Sequence, residues 1–135
     1  MVGILLLTHA PLGQAFITVV AHVFRAPTER LEAIDVAADQ DIGEVHHLAR
    51  EAIKRLDDGS GVLVITDVKG GTPSNCCNSL SEPDRVEVIA GISLPMLLRA
   101  ITYRRDTLDV VVEMALAGAQ SGSVRVDNRI RVGPT

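Results

Sequence analysis

Two stretches of this chain are continuously apolar or β-branched, yet far too short to be helices, and they decide the fold class. Ile4–Leu7 and Val62–Thr66 lack the apolar–polar alternation of a strand with one wet face. A parallel strand covered by helices on both faces has this continuous character. The segments between them agree. Leu12–Phe24 carries Leu12, Ala15, Phe16, Val19, Val20 and Val23 as a helical stripe, and Ile42–Leu56 carries Val45, Leu48, Ala49, Ala52, Ile53 and Leu56. Leu31–Val36 and Arg85–Ala90 supply two further strands, the first a poor one because Glu32, Ala33 and Asp35 are weak strand formers. This β-α alternation predicts a single α/β domain with one mainly parallel sheet and right-handed crossovers.

The C-terminal half continues with two more helices. Ser93-Leu94-Pro95 opens one through about Tyr103, and Asp106–Ala119 forms the other, capped by Asp106 or Thr107 and ended by Gly118–Gly122. The tail from Ser123 to Val132 alternates apolar residues with arginines and other polar residues. That reads as an edge strand or hairpin, with the charges guarding the edge.

Composition narrows the function classes. The 135 residues carry a net charge of −4 and only 2% aromatics, which removes both the basic footprint and the stacking platforms of a nucleic-acid binder. No apolar run approaches the ~20 residues needed to cross a bilayer, and no basic segment precedes Ile4–Leu7 as in a secretory leader. A cytoplasmic protein is expected. Cys76 and Cys77 are adjacent, the wrong spacing for a redox or zinc motif, and are expected to be buried small residues. His22, His46 and His47 read as packing or surface residues, because neighbours on a helix point about 100° apart and do not readily share a metal.

Both apolar runs end in residues with chemistry. In open α/β sheets ligands collect beyond the carboxyl ends of strands, where His9 follows the first run and Asp67 the third strand. Thr8 or His9 is expected to cap the next helix, with Pro11 in its first turn, so that a positive helix end faces the histidine's surroundings. After Asp67, the loop Val68-Lys69-Gly70-Gly71-Thr72-Pro73 combines glycines with a capping Thr72 for a helix starting at Pro73, a plausible phosphate cradle. Each element alone is weak: a lone histidine is more often structural, and many turns read Gly-Gly-Thr-Pro.

Together they are specific. GILLLTHAPLGQAF, GVLVITDVKGGTPSNCC and VEVIAGISLPMLLRAI, in this order, resemble the IIA component of the mannose family of the bacterial phosphoenolpyruvate-dependent sugar phosphotransferase system, from Gly3 to about Ala119. The resemblance implies a doubly wound sheet of strand order 2-1-3-4 and a homodimer whose C-terminal strand joins the neighbour's sheet. It implies that His9 takes a phosphoryl group from the histidine phosphocarrier protein and passes it to a IIB component. Asp67 would orient the imidazole, with Thr72, Gly70 and Gly71 about the phosphoryl group. A carboxylate on one ring nitrogen leaves the other as the nucleophile, and backbone N–H groups can hold phosphoryl oxygens, so no cofactor or metal is required. The sequence departs from the family at Ala10-Pro11, where glycine is usual, and at Lys69, often apolar there. With its end at Thr135, a free-standing IIA without a fused IIB domain is expected.

Three other readings stand beside this one. The chain is a regulatory module whose binding changes when His9 is phosphorylated; it is the related phosphocarrier serving dihydroxyacetone kinase; or it binds a nucleotide at the Gly-Gly-Thr-Pro loop, which the lack of a GxGxxG or P-loop pattern opposes.

Overall fold

The computed structural model describes residues 1–69, 71 and 78–127. Its elements run β1 (Gly3–His9), α1 (Leu12–Phe24), β2 (Leu31–Val36), α2 (Ile42–Leu56), β3 (Val62–Thr66), β4 (Val86–Ala90), α3 (Leu94–Thr102) and α4 (Leu108–Gly122). The strands form one parallel sheet in the order β2-β1-β3-β4. The order reverses at β1, so its carboxyl end opens at the switch point between two outward-running halves of the sheet.

Strand alternation sorts the core into two layers. Ile4 and Leu6 of β1, Leu63 and Ile65 of β3, and Ile89 of β4 face α1, α3 and α4, meeting Val20, Leu97, Val111 and Ala115. Leu5, Leu7, Val62, Val64 and Val86 face the other way onto Val45, Ala49, Ala52 and Leu56 of α2. Ile4 to Leu7 are all fully buried. Each such side chain contributes about 1.5–3 kcal/mol relative to exposure, which is why neither face of β1 tolerates a polar residue before Thr8.

Helix limits follow local chemistry. The Asp41 carboxylate accepts the Glu44 N–H, Ser93 Oγ accepts from Met96 and Thr107 Oγ1 from Val110, each an N-cap. Three expectations need correction. In α1, Leu12, Val19 and Val23 are exposed, and the helix instead buries Gly13 and Val20 with Phe16 and Ile17 partly covered, because Gly13 lets it lie close on the sheet. Leu48 of α2 is likewise outside the core. Gly118 does not end α4, which runs to Gly122: a Cβ at 118 would lie 2.8 Å from both Arg99 Cβ and Pro95 O, so the glycine is a contact with α3 and not a stop.

Residues 123–127 follow α4 without strand pairing and are exposed. The rest of the expected tail strand lies outside the described residues, as do Cys76, Cys77 and the expected helix start at Pro73. Among the described residues no helix is long and apolar enough to cross a membrane.

Candidate functional site

β1 ends at His9, and a carboxylate stands on each side of it. Asp35 of β2 is the register partner of Thr8, and Asp67 follows Thr66, the partner of Leu7. The peptide after β3 is fixed from β4, because the Gly91 N–H donates to the carbonyls of both Thr66 (3.0 Å) and Asp67 (3.1 Å).

Asp67 and His9 form a tight pair. Asp67 Oδ2 accepts the backbone N–H of His9 at 2.8 Å and lies 2.8 Å from His9 Nδ1, while Oδ1 accepts the Val68 N–H at 2.8 Å. Burial pushes this carboxyl upward, but the hydrogen bonds from the His9 backbone, the His9 ring and Val68 outweigh it and hold the group below its ordinary range. An ionised carboxylate only accepts hydrogen bonds. Nδ1 therefore carries a proton, and in the neutral ring Nε2 keeps its lone pair. The His9 side chain is 54% exposed against 8% for Asp67, so the carboxylate is a buried anchor and the imidazole is open to an incoming molecule.

The free edge of the ring faces bare backbone. A Cβ placed on Gly71 would sit 3.2 Å from His9 Cε1 and 3.8 Å from Nε2, closer than a larger residue allows without displacing the ring. The Gly71 N–H turns back to the Val68 carbonyl at 3.2 Å. Lys69 is exposed beside this loop. Gly70 and Thr72, the other residues of the expected cradle, lie outside the described residues.

The start of α1 differs from expectation. Neither Thr8 nor His9 caps it, and Pro11 precedes the helix at the cap position without a side-chain bond. Thr8 is buried and gives its hydroxyl to Asp35 Oδ1 (3.3 Å), and His9 is turned to Asp67. The cap comes from across the sheet: Asp35 Oδ1 accepts the Gly13 N–H at 2.9 Å and Oδ2 the Gln14 N–H at 3.3 Å. The positive end of α1 is thus already met by a carboxylate, and these two N–H groups are not open to a phosphoryl group. Asp35 shows in the sequence only as a poor strand former. An acidic residue one place before a strand's carboxyl end, beside a helix that lacks a local cap, is the signal that finds it.

The remaining histidines stand apart from this pair. His46 is half-buried with Nε2 2.7 Å from Ser79 Oγ, and His22 and His47 are exposed. Among the described residues no group of three or more His, Cys, Asp or Glu side chains gathers as a metal site.

Comparison with known proteins gives the family. The family profile described as the PTS system fructose IIA component matches residues 3–116. The mannose-specific EIIAB component of the phosphotransferase system from Escherichia coli (strain K12) is 33% identical over 73 residues, 52% of this chain. That match spans only 23% of the E. coli protein's length. The fructose-specific EIIA component of Bacillus subtilis (strain 168) is 35% identical over 66 residues, covering 48% of this chain and 43% of the relative. Among solved structures, the phosphotransferase component EIIA from Streptococcus agalactiae superposes with a TM-score of 0.83 at 24% identity, over 93% of this chain and 97% of that one. The mannose/sorbose-specific IIA subunit from Enterococcus faecalis gives 0.81 at 18% identity, over 97% and 98%. At these identities the structures establish the shared fold, and it is the profile match over most of the chain that establishes descent: the chain belongs to the fructose- and mannose-type IIA components of the phosphotransferase system.

Proposed function

We propose that the chain is a cytoplasmic phosphoryl carrier in which His9 Nε2 is the nucleophile. It takes a phosphoryl group from the phosphohistidine of the histidine phosphocarrier protein and passes it to a IIB component, in sugar uptake or its regulation. On uptake the P–N bond to the donor's imidazole breaks as the P–N bond to His9 forms, and on release that bond breaks as the acceptor's nucleophile bonds to phosphorus, with no change of oxidation state. The observation that carries this reading is the His9–Asp67 pair: an exposed ring whose Nδ1 is held by a buried, ionised carboxylate. Nδ1–H stays on Asp67 throughout, so the positive charge that develops on the ring is balanced where it arises. Gly70 and Thr72 supply donors for the phosphoryl oxygens, and Gly71, whose own N–H is turned to the Val68 carbonyl, borders the phosphoryl group with bare backbone close to the Nε2 edge. The working unit is a homodimer.

Intact mass after incubation with phosphoenolpyruvate, enzyme I and the histidine phosphocarrier protein tests the carrier. The wild-type chain is expected to gain one acid-labile phosphoryl group and His9→Ala none. Full labelling of His9→Ala would overturn the assignment. An unlabelled wild type would mean that the family fold is kept without its chemistry.

A further inference from the structure

The geometry points to a second carboxylate, Asp35, as the positioning residue for the turn that presents His9. The inference rests on the phosphohistidine reading above. Residues 8–14 leave β1, reverse and enter α1, so this turn's backbone sets where the imidazole stands relative to an incoming phosphoryl group. Asp35 grips the turn at both ends. Oδ1 takes the Thr8 hydroxyl on the way in and the Gly13 N–H on the way out, and Oδ2 takes the Gln14 N–H. Between them the Ala10 N–H donates to the Val36 carbonyl at 3.1 Å. The end of β2 thus holds the turn along its length, while Asp67 from β3 holds the histidine itself.

Gly13 belongs to the same device. A Cβ there would meet Asp35 Oδ1 at 2.8 Å, Thr8 Oγ1 at 2.9 Å and Ala33 Cβ at 3.0 Å. Only glycine lets the first turn of α1 settle onto the carboxylate. A local cap such as Ser or Asn at position 11 would satisfy the helix equally well but would leave the turn free to move with it. A cap from the neighbouring strand ties it to the sheet. Transfer in line depends on near-attack geometry, where a displacement of about 1 Å costs on the order of 10²-fold in rate.

The test uses two readouts on the wild type, Asp35→Asn, Asp35→Ala and Thr8→Val, with Arg104→Lys, a variant weakened at the opposite end of the sheet, as a stability control. The first is the initial rate of phosphoryl uptake from the phosphocarrier protein. The second, independent of any donor, is the nitrogen NMR spectrum of the His9 ring, assigned with His9→Ala. Asp35→Ala is expected to slow uptake about 10²-fold, with Asp35→Asn and Thr8→Val slowed less. In each, the His9 ring is expected to leave its single Nδ1–H form for a mixture of tautomers, whereas Arg104→Lys keeps the parental rate and ring spectrum. A parental ring spectrum or a parental rate in Asp35→Ala overturns the inference. So does an equal rate loss in Arg104→Lys. If the wild type takes no phosphoryl group, the carrier reading fails on its own and the ring spectrum alone decides the role of Asp35. If Asp35→Ala does not fold, Asp35→Asn and Thr8→Val decide it in the same way.

Discussion

Asp67 Oδ2 meets two hydrogens of a single residue, the backbone N–H and the ring Nδ1–H of His9, while Oδ1 takes a third from Val68. An amide has one acceptor oxygen and one donor NH₂, so Asp67→Asn must lose at least one of these bonds. The expected cost is about 1.5–3 kcal/mol at pH 7, read from the urea midpoint, with phosphoryl uptake slowed on the order of 10²-fold as Nδ1 is no longer held protonated. The sign with pH follows from the depressed carboxyl. Its folded value lies below the unfolded one, about 3.9, so its stabilisation is complete above the unfolded value and disappears as pH falls through the folded one. The gap in unfolding free energy between wild type and Asp67→Asn should therefore narrow from pH 7 to pH 3, and a constant gap would contradict this account. His9 and Asp67 were legible in the sequence because each ends an apolar run, and the parallel sheet brings such ends together. Asp35 was not. Caps are read from residues next to the helix, and a cap reaching over from the adjacent strand leaves no short spacing in the chain.

Elements were legible where a local signal exists and illegible where a neighbour decides. The limits of α1, β2, α2 and β3 are those expected from periodicity and turn residues, although the cap of α1 is not the expected one. Which face α1 buries depends on the close contact at Gly13, and at Gly118 a glycine that reads as a helix stop is a contact with α3, neither of which periodicity encodes. Arg104, between α3 and α4, is the strongest case. It is 5% exposed, and its Nε donates to the Val2 carbonyl at 3.1 Å while its two terminal nitrogens donate to Glu29 (2.5 Å) and Arg30 (2.7 Å). Burial, then the charge of Arg30, pulls its pKa down, yet the guanidinium stays protonated because its ordinary value is so high. One side chain thus ties the α3–α4 turn to the starts of β1 and β2. Arg104→Met would strand three carbonyl acceptors and is expected to cost about 3 kcal/mol or more. Arg104→Lys should recover little of this, since an ammonium cannot reproduce the planar fork. Calorimetry reads the loss as a lower Tm. The His9 chemistry lies at the other end of the sheet, so phosphoryl uptake per folded molecule should not change; a parallel loss of rate would mean that the two ends of β1 are coupled.

At the scale of the whole molecule β2 and β4 form the two margins of the described sheet, and the surface carries several exposed apolar residues. β4 closes one margin of the described sheet, where Val86 pairs with Glu82 in an isolated antiparallel bridge and no described strand runs alongside the rest. After α4 the chain runs on as 123–127, with Val124 68% and Val126 91% exposed, and Arg125 between them. Two valines in alternation are poor surface residues and good strand residues, and an open strand edge invites pairing unless something covers it. Val19, Val23, Phe24 and Leu116 add further exposed apolar surface on the helical layers. A second copy that receives this segment along its own sheet would remove both liabilities at once, and a symmetric exchange would do so for both copies. This is the structural content of the proposed homodimer, and it makes the dimer depend on the tail. A chain truncated after Ser121 should elute as a monomer with the mass of a single chain by light scattering, while His9→Ala remains dimeric. Because His9 and Asp67 are brought together by strands of one chain, the truncated monomer should still take up a phosphoryl group, if less stably folded. A truncated protein that stays dimeric would place the interface on the helical faces instead of the tail.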